Sequence, residues 1–132
     1  AISAAMGMAM AAKIDNELEK NFIAVVGDGA LTGGMSYEAL NNLMDSNLNI
    51  TIVLNDNQIG IDPNTGALNH HLTGSNFLEV QNWFEWFGLD YVGPIDGHDI
   101  SILVKTLENL KNLKNYNNDP LSRLIVMIYA HV

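Results

Sequence analysis

The chain contains no cysteine among its 132 residues, so disulfides and thiolate chemistry are excluded, which is compatible with a reducing compartment. Basic residues are scarce: six Lys and Arg stand against fifteen Asp and Glu, a formal net charge of −9. That sign is wrong for holding a nucleic-acid backbone, so no nucleic-acid partner is expected. No apolar run approaches the ~20 residues that a membrane-crossing helix needs, and no membrane partner is expected either. The first residues are rich in alanine and methionine without a basic leader, so no signal-peptide pattern is read there.

What is present is ordinary for a globular chain: 48% hydrophobic residues, and enough length for one domain, residues 1–132, with its own core. Helical spacing and strand-like apolar runs alternate along it, in the order helix, strand, helix, strand, helix, strand, helix, strand. This predicts an α/β domain of three layers, α/β/α, on a mainly parallel sheet of four or more strands.

Two of the apolar runs, Phe22-Ile23-Ala24-Val25-Val26 and Ile50-Thr51-Ile52-Val53-Leu54, each lead into a polar triplet. Runs this apolar read as strands buried on both faces. Gly27-Asp28-Gly29 and Asn55-Asp56-Asn57 then lie at the carboxyl ends of neighbouring parallel strands, where open α/β sheets bind ligands. Asp28 and Asn57 are twenty-nine positions apart, room for a turn, a crossover helix and the return strand.

A carboxylate and an amide carbonyl are hard oxygen ligands of the kind Mg²⁺ or Ca²⁺ takes, and Mg²⁺ fills its remaining positions with waters and phosphate oxygens. The glycines flanking Asp28 let backbone approach a phosphate, and the N–H groups of Gly29 and Ala30 lie where a helix begins. The expected ligand is a metal-bound diphosphate. The acidity of the chain agrees, since with so few Lys and Arg the anion depends on metal and backbone N–H. Gly-Asp-Gly alone fits equally a plain strand-to-helix turn capped by Asp28; the second triplet favours the ligand.

The same residues carry a family likeness. Gly-Asp-Gly followed at this distance by Asn resembles the thiamine diphosphate signature shared by transketolases, pyruvate dehydrogenases and their relatives. More specifically, Gly27-Asp28-Gly29-Ala30-Leu31-Thr32-Gly33-Gly34-Met35, Tyr37-Glu38-Ala39-Leu40-Asn41-Asn42, Leu54-Asn55-Asp56-Asn57, Gly66-Ala67-Leu68-Asn69 and Asp90-Tyr91-Val92-Gly93-Pro94-Ile95-Asp96-Gly97-His98 resemble the 1-deoxy-D-xylulose-5-phosphate synthase family in order and phrasing. Ile2-Ser3-Ala4-Ala5-Met6-Gly7-Met8-Ala9 is similar to the helix that follows that family's Gly-His-Ser segment. Transketolase proper is less similar, because the Gly-Ala-Leu-Asn and Tyr-Val-Gly-Pro phrases are not typical of it.

The resemblance implies a thiamine diphosphate-binding α/β/α fold with thiamine diphosphate and Mg²⁺ as cofactors. It implies Asp28 and Asn57 as side-chain metal ligands and the Ile59 carbonyl as a third. Gly27, Gly29 and Ala30 would meet the diphosphate, and Ile61 the thiazolium ring, where an apolar wall keeps water from the reactive carbon. The implied reaction joins pyruvate, with loss of carbon dioxide, to glyceraldehyde 3-phosphate, giving 1-deoxy-D-xylulose 5-phosphate for isoprenoid and thiamine synthesis. A homodimer in the full-length protein and a bacterial cytoplasmic or plastid-type setting follow from the same likeness. In this family the glutamate that activates the aminopyrimidine lies on a second domain, so no catalytic residue is assigned here and the segment alone is expected to be silent. Ala1 falls inside a family motif and no initiator Met precedes it, so the chain reads as a fragment of a longer multidomain protein. Two alternatives stay open: another transketolase-like enzyme of the same cofactor class, and a truncated paralogue acting as a binding or structural subunit.

The remaining segments carry plainer expectations. Ile2 to about Lys20 reads as a helix buried over its first turns, with Met6, Met8 and Met10 as core fillers. Met35 to Met44 reads as the crossover helix, packing Leu31, Met35, Ala39, Leu40 and Leu43 on the sheet, with Glu38 either solvated or near a partner subunit. His70 and His71 read as a surface turn and not a zinc site, a contact to substrate phosphate being the alternative. Phe77, Val80, Trp83, Phe84 and Phe87 form an aromatic core stripe on a helix capped by Asn76 and stopped by Gly88. Tyr91-Val92 reads as a short strand, Asp96 to Asp99 as a turn capping a helix from Ile100 to Leu113 with His98 as the lone histidine placed for chemistry, and Leu124 to Tyr129 as a last buried strand after a polar turn at Asn115 to Pro120.

Two features depart from the resembled family. Only a handful of residues separate the Gly-Ala-Leu-Asn phrase from the aromatic helix, where the family carries a longer excursion. The last strand, instead of closing on a Thr-Lys-Lys-Gly-like phrase with its active-site lysine, runs into Tyr129-Ala130-His131-Val132, and His131 has no assigned role.

Overall fold

The computed structural model describes residues 1–59, 62–116 and 123–130, with side chains described up to Lys111 in the helix that ends at Tyr116. Ten elements follow one another: α1 (Ile2–Ile14), β1 (Phe22–Gly27), α2 (Asp28–Leu31), α3 (Gly34–Ser46), β2 (Ile50–Asp56), α4 (Ala67–Gly74), α5 (Phe77–Glu85), β3 (Asp90–Asp96), α6 (Ile100–Tyr116) and β4 (Arg123–Tyr129). The strands form one sheet in the order β1-β2-β4-β3, and every pairing is parallel.

That order dictates the layers. Parallel strands joined through a helix cross over right-handedly, because a right-twisted strand packs its helix back only that way. The steps β1 to β2 and β2 to β3 run in one direction across the sheet, so α3, α4 and α5 fall on one face. The step from β3 back to β4 runs the other way and carries α6 to the opposite face. The cores follow suit. On the first face Ala24, Val26, Ile52, Leu54, Ile125 and Met127 pack with Ala5 and Ala9 of α1, Leu40 and Leu43 of α3, and Val80 and Phe84 of α5. On the second, Ile95, Leu124 and Val126 lie under Leu103 and Leu110 of α6. The expected three-layer α/β/α fold on a parallel sheet is what is found.

Several local expectations are corrected. Of the two strands that lead into the triplets, only β2 is enclosed on both faces along most of its length; β1 is an edge strand whose Ile23 and Val25 stay about 62–63% exposed, because α6 covers only the far half of the second face. Helix α1 ends at Ile14 and not near Lys20, the chain turning at Asn16 with φ 60°. Its small residues Ala5, Ala9 and Ala12 are buried, but Met8 and Met10 are exposed, so of the three methionines only Met6 packs on the core. Met35 and Phe77 are also exposed, Met35 one position off the buried stripe of α3 and Phe77 at the first residue of α5. In α6, Val104 and Leu107 remain substantially exposed. The strand expected at Tyr91-Val92 is seven residues long and passes through Gly93-Pro94 with a shift in register between Val92 and Ile95. His70 and His71 lie within α4 and not in a turn, while Asn115 and Tyr116 continue α6; the rest of the expected polar turn, residues 117–120, and His131 lie outside the described residues.

Two of the six basic side chains serve the end of α3, where backbone carbonyls lack helical partners and the dipole is negative. Lys13 Nζ donates to the carbonyls of Ser46 and Asn47 at 3.3 and 3.4 Å, and Arg123 Nη1 donates to those of Leu43, at 3.3 Å, and Met44. Asn47 closes the helix in the left-handed region at φ 49°.

Candidate functional site

The two polar triplets leave neighbouring parallel strands side by side, as their spacing requires. Across the β1–β2 ladder Gly27 is in register with Asn55, so Asp28 leaves β1 where Asn55-Asp56-Asn57 leaves β2. Asp28 opens the single turn of α2 and is 4% exposed. The turn is pinned from behind: Thr32 Oγ1 donates to the Gly29 carbonyl at 2.7 Å and Ser36 Oγ to that of Ala30 at 2.9 Å.

At the end of β2 the backbone is folded over its own side chains. Asp56, 1% exposed, accepts from the Gln58 N–H at 3.0 Å, and Asn57 Oδ1 accepts from the Ile59 N–H at 3.1 Å. These are Asx turns, which let Gln58 take a positive φ of 60°. The Asp56 carbonyl accepts from Ala130 N at 2.9 Å, tying this tip to the end of β4. Ile59 is half exposed and bridges to Pro63. Ile61, expected at the thiazolium ring, lies outside the described residues.

Sequence reasoning missed the residue that touches Asp28. Asn64 Nδ2 donates to Asp28 Oδ2 at 2.5 Å, from a loop rich in helix and strand breakers where no periodicity marks it. Its amide also overlies Gly29: a Cβ placed there would stand 3.0 Å from Asn64 Oδ1. Behind it, Asn69 of α4 donates through Nδ2 to the Asn64 carbonyl at 3.0 Å, which gives the last residue of the Gly-Ala-Leu-Asn phrase a structural task.

The histidines stand apart from this arrangement. His71 Nδ1 and Ser75 Oγ are 2.9 Å apart, and the ring leans on Trp83 at 6.2 Å between centroids. His98 is exposed on the rim of a cleft of about 520 Å³ that is walled by Leu72, Phe77, Val80, Tyr91 and Met127 and lined by no residue of either triplet. The turn before α6 is capped as expected, Asp99 Oδ1 accepting from Ile102 N at 2.9 Å. Among the described residues no three His, Asp or Glu side chains gather closely enough to hold a metal ion. Inside the cleft, burial pushes the Tyr91 hydroxyl up to about 12.

Comparison with known proteins bears on the same residues. The sequence pattern of the family described as 1-deoxy-D-xylulose-5-phosphate synthase matches residues 1–79 and 74–118. A 1-deoxy-D-xylulose-5-phosphate synthase of Albidiferax ferrireducens is 43% identical over 148 aligned positions, covering 86% of this chain and 23% of its own. The enzymes of the same name from Pseudoalteromonas translucida and Nitrosomonas eutropha are 38% and 40% identical, with 24% of each covered. This chain thus spans about a quarter of the length of these relatives. The alignment is longer than the chain, so some of the relatives' positions have no counterpart here, and the two matched segments overlap at residues 74–79. The overlap falls where the longer excursion of the family is expected. Among solved structures, one described as a thiamin diphosphate-dependent enzyme from Mycobacterium smegmatis superposes with a TM-score of 0.63 over 99% of this chain and 22% of its own, at 19% identity, a likeness of fold.

Proposed function

The chain belongs to the 1-deoxy-D-xylulose-5-phosphate synthase family, and from that premise we propose that it supplies the cation-and-diphosphate half of a thiamine diphosphate site. The observation carrying this reading is the register of Gly27 with Asn55, which sets a buried carboxylate and an amide oxygen at adjacent strand tips.

The residues present fit such a ligand. A carboxylate as enclosed as Asp28 costs several kcal/mol to desolvate unless something answers its charge, and a neutral amide is its partner among the described residues. Mg²⁺ held by Asp28, Asn57 and the Ile59 carbonyl would answer it in full. Gly27, Gly29 and Ala30 present bare or nearly bare backbone to a diphosphate. Lys13 and Arg123 are spent on α3, Lys20 is 2.5 Å from Glu17 and the other three lysines belong to α6, so the reading assigns the anion's charge to the cation and the backbone N–H groups.

When bound, the cofactor supplies a nucleophilic carbon that adds to pyruvate and stabilises the charge left by decarboxylation. The chain's own part is to anchor and orient the cofactor's anionic tail. In the full-length protein the product would be 1-deoxy-D-xylulose 5-phosphate from pyruvate and glyceraldehyde 3-phosphate, and the exposed Met8, Ile14 and Met35 on α1 and α3 suit contact with a second subunit. The 132 residues alone are expected not to decarboxylate pyruvate.

Calorimetric titration of the chain with thiamine diphosphate, with and without Mg²⁺, tests the assignment. Binding that requires Mg²⁺ and disappears in Asp28→Ala is the expected result. Metal-independent binding, or none, would leave a non-catalytic structural subunit as the better reading.

A further inference from the structure

The side chain nearest the buried carboxylate belongs to neither triplet. Asn64 reaches Asp28 Oδ2 at 2.5 Å and lies over Gly29, in the space a cation on Asp28 and a phosphate on the Gly29 backbone would share. It is held there from α4, where Asn69 donates to its carbonyl. Such a residue either obstructs the ligand or takes part in binding it.

Its chemistry permits the second. An amide side chain carries two donors on one side and an acceptor on the other, and turning about its last bond exchanges them without moving the backbone. A lone carboxylate only accepts, so in the cation-free protein the amide must offer Asp28 its NH₂. A cation on Asp28 reverses that demand, because it repels N–H and attracts carbonyl oxygen. The Oδ1 atom is already beside Gly29 and needs only that rotation to face the cation or one of its waters.

Resting on the assignment of Asp28 as a cation ligand, we infer that Asn64 is a further residue of the cation site, its amide nitrogen bonding Asp28 when the site is empty and its amide oxygen serving the cation when it is filled. Asn69 is its positioning residue. The backbone need not move, so the empty site is already shaped for its ligand and the exchange costs little more than one side-chain rotation.

The sign of one substitution separates participation from obstruction. If Asn64 merely held Asp28 in the empty protein, Asn64→Ala would destabilise that form alone and tighten cation binding. If its oxygen serves the cation, Asn64→Ala weakens binding, by about tenfold as for other partners around a metal. Asn64→Asp keeps an acceptor, adds charge, and is expected to bind more tightly than the parent. The readout is Mn²⁺ as probe, followed through the loss of its free paramagnetic signal at a fixed thiamine diphosphate concentration. The order Asp, then Asn, then Ala in affinity supports the inference. An Ala variant that binds as well as or better than the parent, or an Asp variant no better than Ala, overturns it. If the parent binds Mn²⁺ and Asp28→Ala does not while all three residues at position 64 are equivalent, this inference falls and the assignment of Asp28 stands; if the parent binds none, both fall.

Discussion

Gly27 stands directly opposite Asn55 in the parallel ladder of β1 and β2, and from that single register the relation of Asp28 to Asn57 follows. Both residues lie just past the paired ends of their strands. Asn57 uses its oxygen on the Ile59 N–H, a bond worth about 1 kcal/mol net. Asn57→Leu is therefore expected to cost no more than about 1 kcal/mol of stability while lowering Mg²⁺-dependent thiamine diphosphate affinity by at least about tenfold. Asn57→Asp, which keeps an acceptor, is expected to retain binding. Melting curves and calorimetry on the same samples check both statements, and equal affinity in the Leu variant would remove Asn57 from the site.

A second prediction concerns Gly93, which has φ 147° and packs on the central strand β4. A Cβ there would stand 2.8 Å from the Met127 carbonyl oxygen and 3.0 Å from Met127 Cβ, and a backbone oxygen inside a ladder cannot step aside. Gly93→Ala combines strain with overpacking and is expected to cost about 2–4 kcal/mol in chemical denaturation. Gly7, mid-helix in α1 with nothing within 4 Å of an added Cβ, is the control, and Gly7→Ala is expected to stabilise by about 0.5–1 kcal/mol. Equal effects at the two positions would refute the contact argument.

Strands, crossover helix and the pairing of the two triplets were legible in the sequence because each rests on local apolarity or on a spacing that only one topology satisfies. What was not legible depends on neighbours. Ile23 and Val25 are as apolar as Ile50 and Ile52, and only the sheet order, which leaves β1 at an edge, decides that the first pair is uncovered. The length of β3 was hidden by Gly93-Pro94, since proline signals a break, yet an edge strand tolerates it because one row of its backbone groups has no partner strand. His70 and His71 carry no helical signal of their own and are drawn into α4 by Leu68 and Leu72, both buried. Asn64 meets a partner thirty-six positions away from within a breaker-rich loop, a contact that periodicity cannot register.

The last prediction is a pH dependence. Tyr91 stacks on the fully buried Phe84, ring centroids 5.8 Å apart and planes at 13°, and its hydroxyl donates to Met127 Sδ at 3.3 Å. Burial raises its ionisation from the ordinary 10.0 to about 12. Below about pH 10 folded and unfolded chains both keep the proton, and the contribution of Tyr91 is fully present. Between about pH 10 and about pH 12 the unfolded chain releases it while the folded chain does not, so stability falls as pH rises through that window and levels off beyond it. Two pH units correspond to about 2.7 kcal/mol, but the ring is only half-buried and solvent screens the ionised form, so a loss of about 1 kcal/mol is expected. Tyr91→Phe keeps the stacked ring and removes the proton. Tyr129 is also raised, by burial and by the charge of Asp56, and contributes to both proteins alike, so the difference between parent and variant isolates Tyr91. Denaturation curves for the two proteins are expected to converge or cross as pH rises from 10 to 12; curves that stay parallel would show that Tyr91 ionises as freely folded as unfolded, and that the cleft wall is open to water.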